Sequence, residues 1–191
     1  MPLWQVPNRL NLPLMADPVM TLSSARFPAC CFSVRGLFGM MALASLGLIL
    51  FALYLQHVLG EHPCPLCITQ RIFVIAIGLL SLAACVHNPG RLGRQLWSAL
   101  VGLAAVGGGA VAARHVWIQH LPDDQVPACG PGIEYMFANF PLRRALELLF
   151  AGDGNCHEVG WTFLTLSIPE WTLIAFIGFA LAAVVQALRQ D

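Results

Sequence analysis

Charge is scarce in this chain. Only 10% of its 191 residues are charged, lysine is absent, and ten arginines balance ten acids. Without a basic excess there is no electrostatic case for a nucleic-acid partner. Polar surface is scarce too. Hydrophobic residues make up 58% of the chain and mean hydropathy is +0.71, well outside the range of soluble domains. That composition reads as an integral membrane protein. No internal repeat of useful period is visible. No small-x-small site clearly follows the first apolar stretch, which speaks against a cleaved signal peptide.

What is present is long apolar runs. Crossing a hydrocarbon core of about 30 Å takes about 20 apolar residues in a helix. Four stretches qualify, at about 36–57, 68–87, 95–115 and 169–188. The third carries "LVGLAAVGGGAVAA", small residues that suit close helix–helix contact in lipid. The expected fold is an all-α membrane protein: a four-transmembrane-helix bundle over 36–191, preceded by a tail over 1–35 that lacks clear periodicity.

The arginines set an orientation. Arg9, Arg26, Arg35, Arg91, Arg94 and Arg189 share one side of the bundle with only Asp17 and Asp191. The opposite side holds eight acids against Arg143, Arg144, Arg71 and Arg114. The positive-inside rule puts both termini in the cytoplasm. Two loops then face outward, at about 58–67 and about 118–168. The longer one contains "PLRRALELLF". Leu142, Ala145, Leu146 and Leu149 share one helical face there, and Arg143, Arg144 and Glu147 the other. This predicts an amphipathic helix, opened by Pro141 at its first turn, lying in the membrane interface or packed on the bundle.

Orientation sorts the seven cysteines. Cys30 and Cys31 fall on the cytoplasmic side, where thiols stay reduced, and Cys85 lies inside the second span as a small hydrophobe. Cys64, Cys67, Cys129 and Cys156 face outward, where disulfides persist. Three pairings are possible. Cys64 with Cys67 is the local pair, and Cys129 with Cys156 would then close part of the long loop. A CxxC bridge constrains too short a loop to stabilise much, but it is a common redox device. The four lack the second short knuckle that structural zinc sites prefer.

Two more residues join the cysteines. If the second helix begins near Pro65, Cys67 and Arg71 stand at i and i+4, and Cys67 sits in the first turn, where the helix dipole favours an anion. Both effects favour a thiolate. Arg71 could also orient a quinone carbonyl or stabilise its reduced form. His115, at a similar depth on the third span, could hydrogen-bond the same ligand.

These motifs resemble a known family. "CPLCITQR", "PACGPGIEYMFANFPL" and "GNCHEVGWTFLTLSIPEW" occur in the order seen in the disulfide bond formation protein B (DsbB) family, quinone-dependent thiol oxidases of the bacterial inner membrane. The resemblance covers about residues 36–188. It implies a bound ubiquinone or menaquinone and a periplasmic thioredoxin-like partner of the DsbA type. It implies that Cys64 and Cys67 serve the quinone, that Cys129 and Cys156 meet the partner, and that Arg71 and His115 lie near the quinone. Gln70 stands where some members carry an acid, and no catalytic role is assigned to it. The implied cycle runs from partner to Cys129, from Cys156 to Cys64, and from Cys67 to the quinone. Other readings stay open: an oxidase with one specialised partner, a relative of vitamin K epoxide reductase, a bis-histidine haem bundle, or a scaffold with structural disulfides.

Overall fold

The computed structural model describes residues 33–128, 130, 133–157 and 159–189. Most of the tail expected over 1–35 lies outside the described residues, as do Cys30, Cys31 and Cys129. Four long helices dominate: α1 (Val34–His57), α2 (Pro65–His87), α3 (Arg91–Gln119) and α6 (Ile168–Leu188). Between α3 and α6 lie two short helices, α4 (Ile133–Asn139) and α5 (Leu142–Ala151). A small antiparallel hairpin follows, β1 (Thr162–Phe163) with β2 (Leu166–Ser167).

Local chemistry sets the helix ends. Ser33 caps α1 by accepting from the Gly36 N–H. α2 starts at Pro65, whose missing N–H costs nothing in a first turn. It stops at Asn88, in the left-handed conformation, just before Pro89. "SIPE" opens α6 as a capping box: Ser167 and Glu170 satisfy each other's backbone amides.

All four long helices have a mean hydropathy of 1.8–2.2, yet only 17–33% of each apolar window is buried inside the protein. Leu43, Leu79, Leu103 and Leu181 are each more than 60% exposed. In water such a surface would be untenable; in lipid it is the solvent-facing side. The chain is a multi-pass membrane protein.

α1 packs along α2, α2 along α3, and α3 along α6, while α1 and α6 meet only sparingly. Phe38, Ile77, Val101, Ala112 and Phe176 form the centre of the core. The glycine run of α3 permits this closeness. A Cβ at Gly108 would collide with the Phe176 ring, and one at Gly107 with Phe73. Cys85 packs beside Gly39 of α1, as its expected role of small hydrophobe requires. At the same end of the bundle the buried Arg94 guanidinium donates to the Arg189 carbonyl, and Gln186 Nε2 donates to the Val34 carbonyl at 2.8 Å.

The loop helix departs from its sequence reading in two ways. Pro141 is the cap of α5 and not its first residue, because its extended backbone (ψ 144°) lies outside the helix. The apolar face is also divided. Leu149 is buried on the bundle, whereas Leu142, Leu146 and Phe150 stay exposed. Packing on the bundle is thus met at Leu149, and the other three side chains stay exposed. Glu147 is bonded by both Arg143 and Arg144 on the polar face.

Candidate active site

The first two candidate cysteines are placed by the start of α2. Cys64 is the N-cap, with extended backbone, and its Sγ accepts from the Cys67 N–H at 3.4 Å. The sulphur stands where a serine oxygen usually would. The positive end of the helix therefore acts on Cys64 as well as on Cys67. Leu66, fully buried between them, anchors the turn.

Cys156 arrives from the long loop. After α5 the chain turns at Gly152 (φ +76°), where a Cβ would lie 2.9 Å from both Ile118 and Leu66 side-chain atoms. Only glycine meets both the left-handed backbone and the close approach. Asp153 then caps a 3-10 turn, Gly154–Cys156, by accepting from the Asn155 N–H. This turn lays Cys156, 1% exposed, against Cys64, Leu66 and Ile118. Two further loop residues, Ala128 and Gly130, lie beside this turn. Gly154 N–H donates to the Ala128 carbonyl, and Gly130 lies against Asp153.

Cys64 is the hub of what results. Beside the Cys67 amide, its Sγ lies 3.7 Å from His115 Nε2 and packs against Cys156, whose own thiol donates to Asp153 Oδ1 at 3.7 Å. His115 is 2% exposed, and its Nδ1 lies 3.1 Å from Gln70 Nε2. With the amide nitrogen as donor, Nδ1 accepts, which leaves the ring proton on Nε2, directed at Cys64. Two donors, the Cys67 amide and the His115 ring N–H, thus converge on one sulphur. Cys64, Cys67, Cys85 and Cys156 are all free thiols in this state.

The adjacent Cys64 sulphur, followed by burial, raises the Cys156 pKa well above the ordinary thiol range. Both effects favour the neutral thiol, so their stabilisation is complete below the ordinary thiol pKa and is lost as pH climbs through the raised value. In the reduced protein at pH 8, Cys156 is expected to react with a maleimide at least about 10-fold more slowly than an exposed thiol. Cys64→Ala removes its partner and should shift the pH midpoint of that reaction downward. An unchanged midpoint would rule out the neighbouring Cys64 sulphur as its cause.

A cavity of about 430 Å³ opens beside this cluster. Apolar residues of α1 and α6 line it, among them Leu48, Leu55, Ile174 and Ala175, and Cys64, Cys67, Gln70, Arg71 and His115 supply its polar end. Arg71 is held by α1, donating to Gln56 Oε1 and, at 3.2 Å, to the Ala52 carbonyl. It shares the cavity with Cys67, but no hydrogen bond joins the two among the described residues. The hairpin covers the mouth. Its turn, Leu164–Thr165, has both residues left-handed, as a two-residue hairpin requires. Trp161 and Phe163 stack at 5.8 Å, and Trp161 meets Phe51 edge-on at 5.6 Å.

The structure therefore gathers Cys64, Cys67, Arg71 and His115 at one cavity end, with Cys156 packed against Cys64, while Cys129 lies outside the described residues. Both ring nitrogens of His115 have protein partners, Cys64 and Gln70. Three contributors escaped the sequence reading: Gln70, Asp153 and the aromatic hairpin. Gln70 carried a usable signal, a polar residue within an apolar span, which is costly unless partnered. Asp153 and the hairpin carried none that distinguishes them from ordinary loop residues.

Comparison with known proteins bears on this arrangement. The profile of the family described as disulfide bond formation protein DsbB matches residues 34–186. The chain is 62% identical over 144 residues to disulfide bond formation protein B of Saccharophagus degradans, covering 75% of this chain and 87% of that protein. It is 48% identical over 158 residues to disulfide bond formation protein B 1 of Pseudomonas aeruginosa, covering 83% and 97%. It is 47% identical over 167 residues to the Methylococcus capsulatus protein of the same name, covering 87% and 96%.

Proposed function

The chain belongs to the DsbB family of disulfide bond formation proteins, and on that premise we propose that it oxidises a periplasmic DsbA-type dithiol protein and passes the electrons to a membrane quinone. The observation that carries this reading is Cys64, the CxxC cysteine that touches Cys156 of the distant loop. Contact between the two pairs is what an internal disulfide relay needs.

The residues at the cavity fit a quinone. Apolar walls suit its ring and tail, and Arg71 uses only two described bonds of its five N–H groups, leaving donors for a carbonyl oxygen. Arg71, Cys67 and the apolar residues of α1 and α6 would hold it. When bound, it supplies the two-electron acceptor that thiol exchange alone lacks. Ubiquinone and menaquinone fit this description equally.

The protein's own steps are exchanges. The partner's thiolate attacks Cys129, forming a mixed disulfide and expelling Cys156 as a thiolate. That thiolate is released within reach of Cys64. Its attack on Cys64 forms the Cys64–Cys156 disulfide and expels Cys67 as a thiolate at the cavity. The partner's second thiolate resolves the mixed disulfide and frees Cys129. Cys129 then attacks Cys156 and expels Cys64, whose departure is eased by the Cys67 amide and the His115 Nε2–H. Recovery of the Cys64–Cys67 disulfide completes the cycle. In this reading the termini are cytoplasmic, with Arg35, Arg91, Arg94 and Arg189 on the inner side, and the cavity opens at the periplasmic edge of a bacterial inner membrane.

The test is quinone absorbance in the purified chain mixed with a reduced thioredoxin-like dithiol protein. One quinone should be reduced for each pair of thiols lost. Thiol loss without quinone reduction would overturn the proposal.

A further inference from the structure

We propose that the reduced site is also a Zn²⁺ site, built by Cys64, Cys67 and His115, which the oxidised protein lacks. The two sulphurs and a His115 ring nitrogen all lie within 4.8 Å of one another, and Cys64 Sγ to His115 Nε2 is 3.7 Å. Tetrahedral zinc, with bonds of about 2.3 Å to sulphur and about 2.0 Å to nitrogen, sets S···N near 3.5 Å and S···S near 3.8 Å. The cluster needs a contraction of no more than about 1.3 Å, from the 4.8 Å limit to the S···N distance near 3.5 Å.

The chemistry selects zinc. Two thiolates and an imidazole are soft or intermediate donors that disfavour Mg²⁺ and Ca²⁺. Two thiolates with Zn²⁺ sum to zero charge, so the complex is neutral where it is buried at the edge of a bilayer; Cu⁺ would leave one negative charge. Binding releases two thiol protons. His115 must offer the Nε2 lone pair, with its proton on Nδ1. Gln70 allows this by turning its amide, so that Oε1 accepts where Nε2 donated before. The fourth position is open to water or to Cys156, which adjoins Cys64.

Closing the Cys64–Cys67 disulfide consumes two of the three ligands. Zinc therefore captures only the reduced enzyme and holds it out of the cycle until the metal is withdrawn. This gating rests on the function proposed above; the metal site does not.

The experiment uses the detergent-solubilised full chain with Cys30, Cys31 and Cys85 changed to serine, reduced by a phosphine, with Co²⁺ as the probe and Zn²⁺ as its competitor. One Co²⁺ per chain is expected, with sulphur-to-cobalt charge-transfer bands and intense tetrahedral bands that Zn²⁺ abolishes. The oxidised chain should show none. Cys64→Ser, Cys67→Ser and His115→Ala should each weaken binding at least about 10-fold, and Gln70→Leu by about 10–100-fold. A measurement without any variant runs alongside: Zn²⁺ should protect Cys64 and Cys67 of the reduced chain from alkylation. Equal binding by the oxidised chain, unchanged bands in Cys64→Ser, or absent protection would each overturn the proposal. Every readout is independent of quinone, so a failure here and a failure of the proposed activity remain distinguishable.

Discussion

Cys64→Ser is expected to abolish thiol-driven quinone reduction, by about 10³-fold or more, while the protein stays folded. The size of the effect follows from position. Cys64 is the sulphur against which Cys156 packs, and its Sγ also accepts the Cys67 amide and faces His115. Removing it severs the two pairs, with no bypass among the described residues. Residues that act as one unit lose nearly everything when any one is removed. The fold should survive because serine is a better N-cap than cysteine and fills the same place at the start of α2. The check is steady-state quinone reduction together with thermal unfolding in detergent. Turnover within about tenfold of wild type would mean that electrons reach the quinone without Cys64. Cys67→Ser should lose turnover equally while still retaining quinone, since Cys67 is one of many cavity residues.

Gln70→Leu should lower kcat by about 10–100-fold with little change in KM for the partner, because the lost group acts through His115 and not on the partner. Gln70 is 4% exposed, and His115 Nδ1 is its partner at 3.1 Å. Leucine fills a similar volume but leaves that nitrogen unsatisfied in a buried site, a cost of about 1–3 kcal/mol. It also frees the ring to place its proton on Nδ1, which turns a lone pair toward the Cys64 sulphur and weakens its departure as a thiolate. A purely structural role would lower stability and leave the pH profile of kcat unmoved; a role through the tautomer moves it. Gln70→Glu is the companion test. A carboxylate accepts from Nδ1–H and lets the ring carry a second proton on Nε2, so activity should partly return with a displaced pH profile. A Gln70→Leu enzyme with wild-type kcat and pH profile would remove Gln70 from the mechanism.

The sequence by itself determined the four apolar helices, because length and hydropathy alone decide what can cross lipid. It determined the family too, through three cysteine-bearing segments in order, which the profile over 34–186 confirms. It also held the start of α2, since a proline following a cap residue fits only a first turn. Tertiary structure decided the rest. That Cys64, and not Cys67, stands between His115 and Cys156 depends on α3 presenting His115 and on Gly152 turning Cys156 inward. Those partners lie 51 and 92 positions along the chain. Gln70 looked silent because one polar residue in an apolar run does not say what it faces. Only the packing of α2 against α3 puts it on the back of His115. Periodicity and spacing describe a residue's own helix; a site made of four segments is set by how those segments meet.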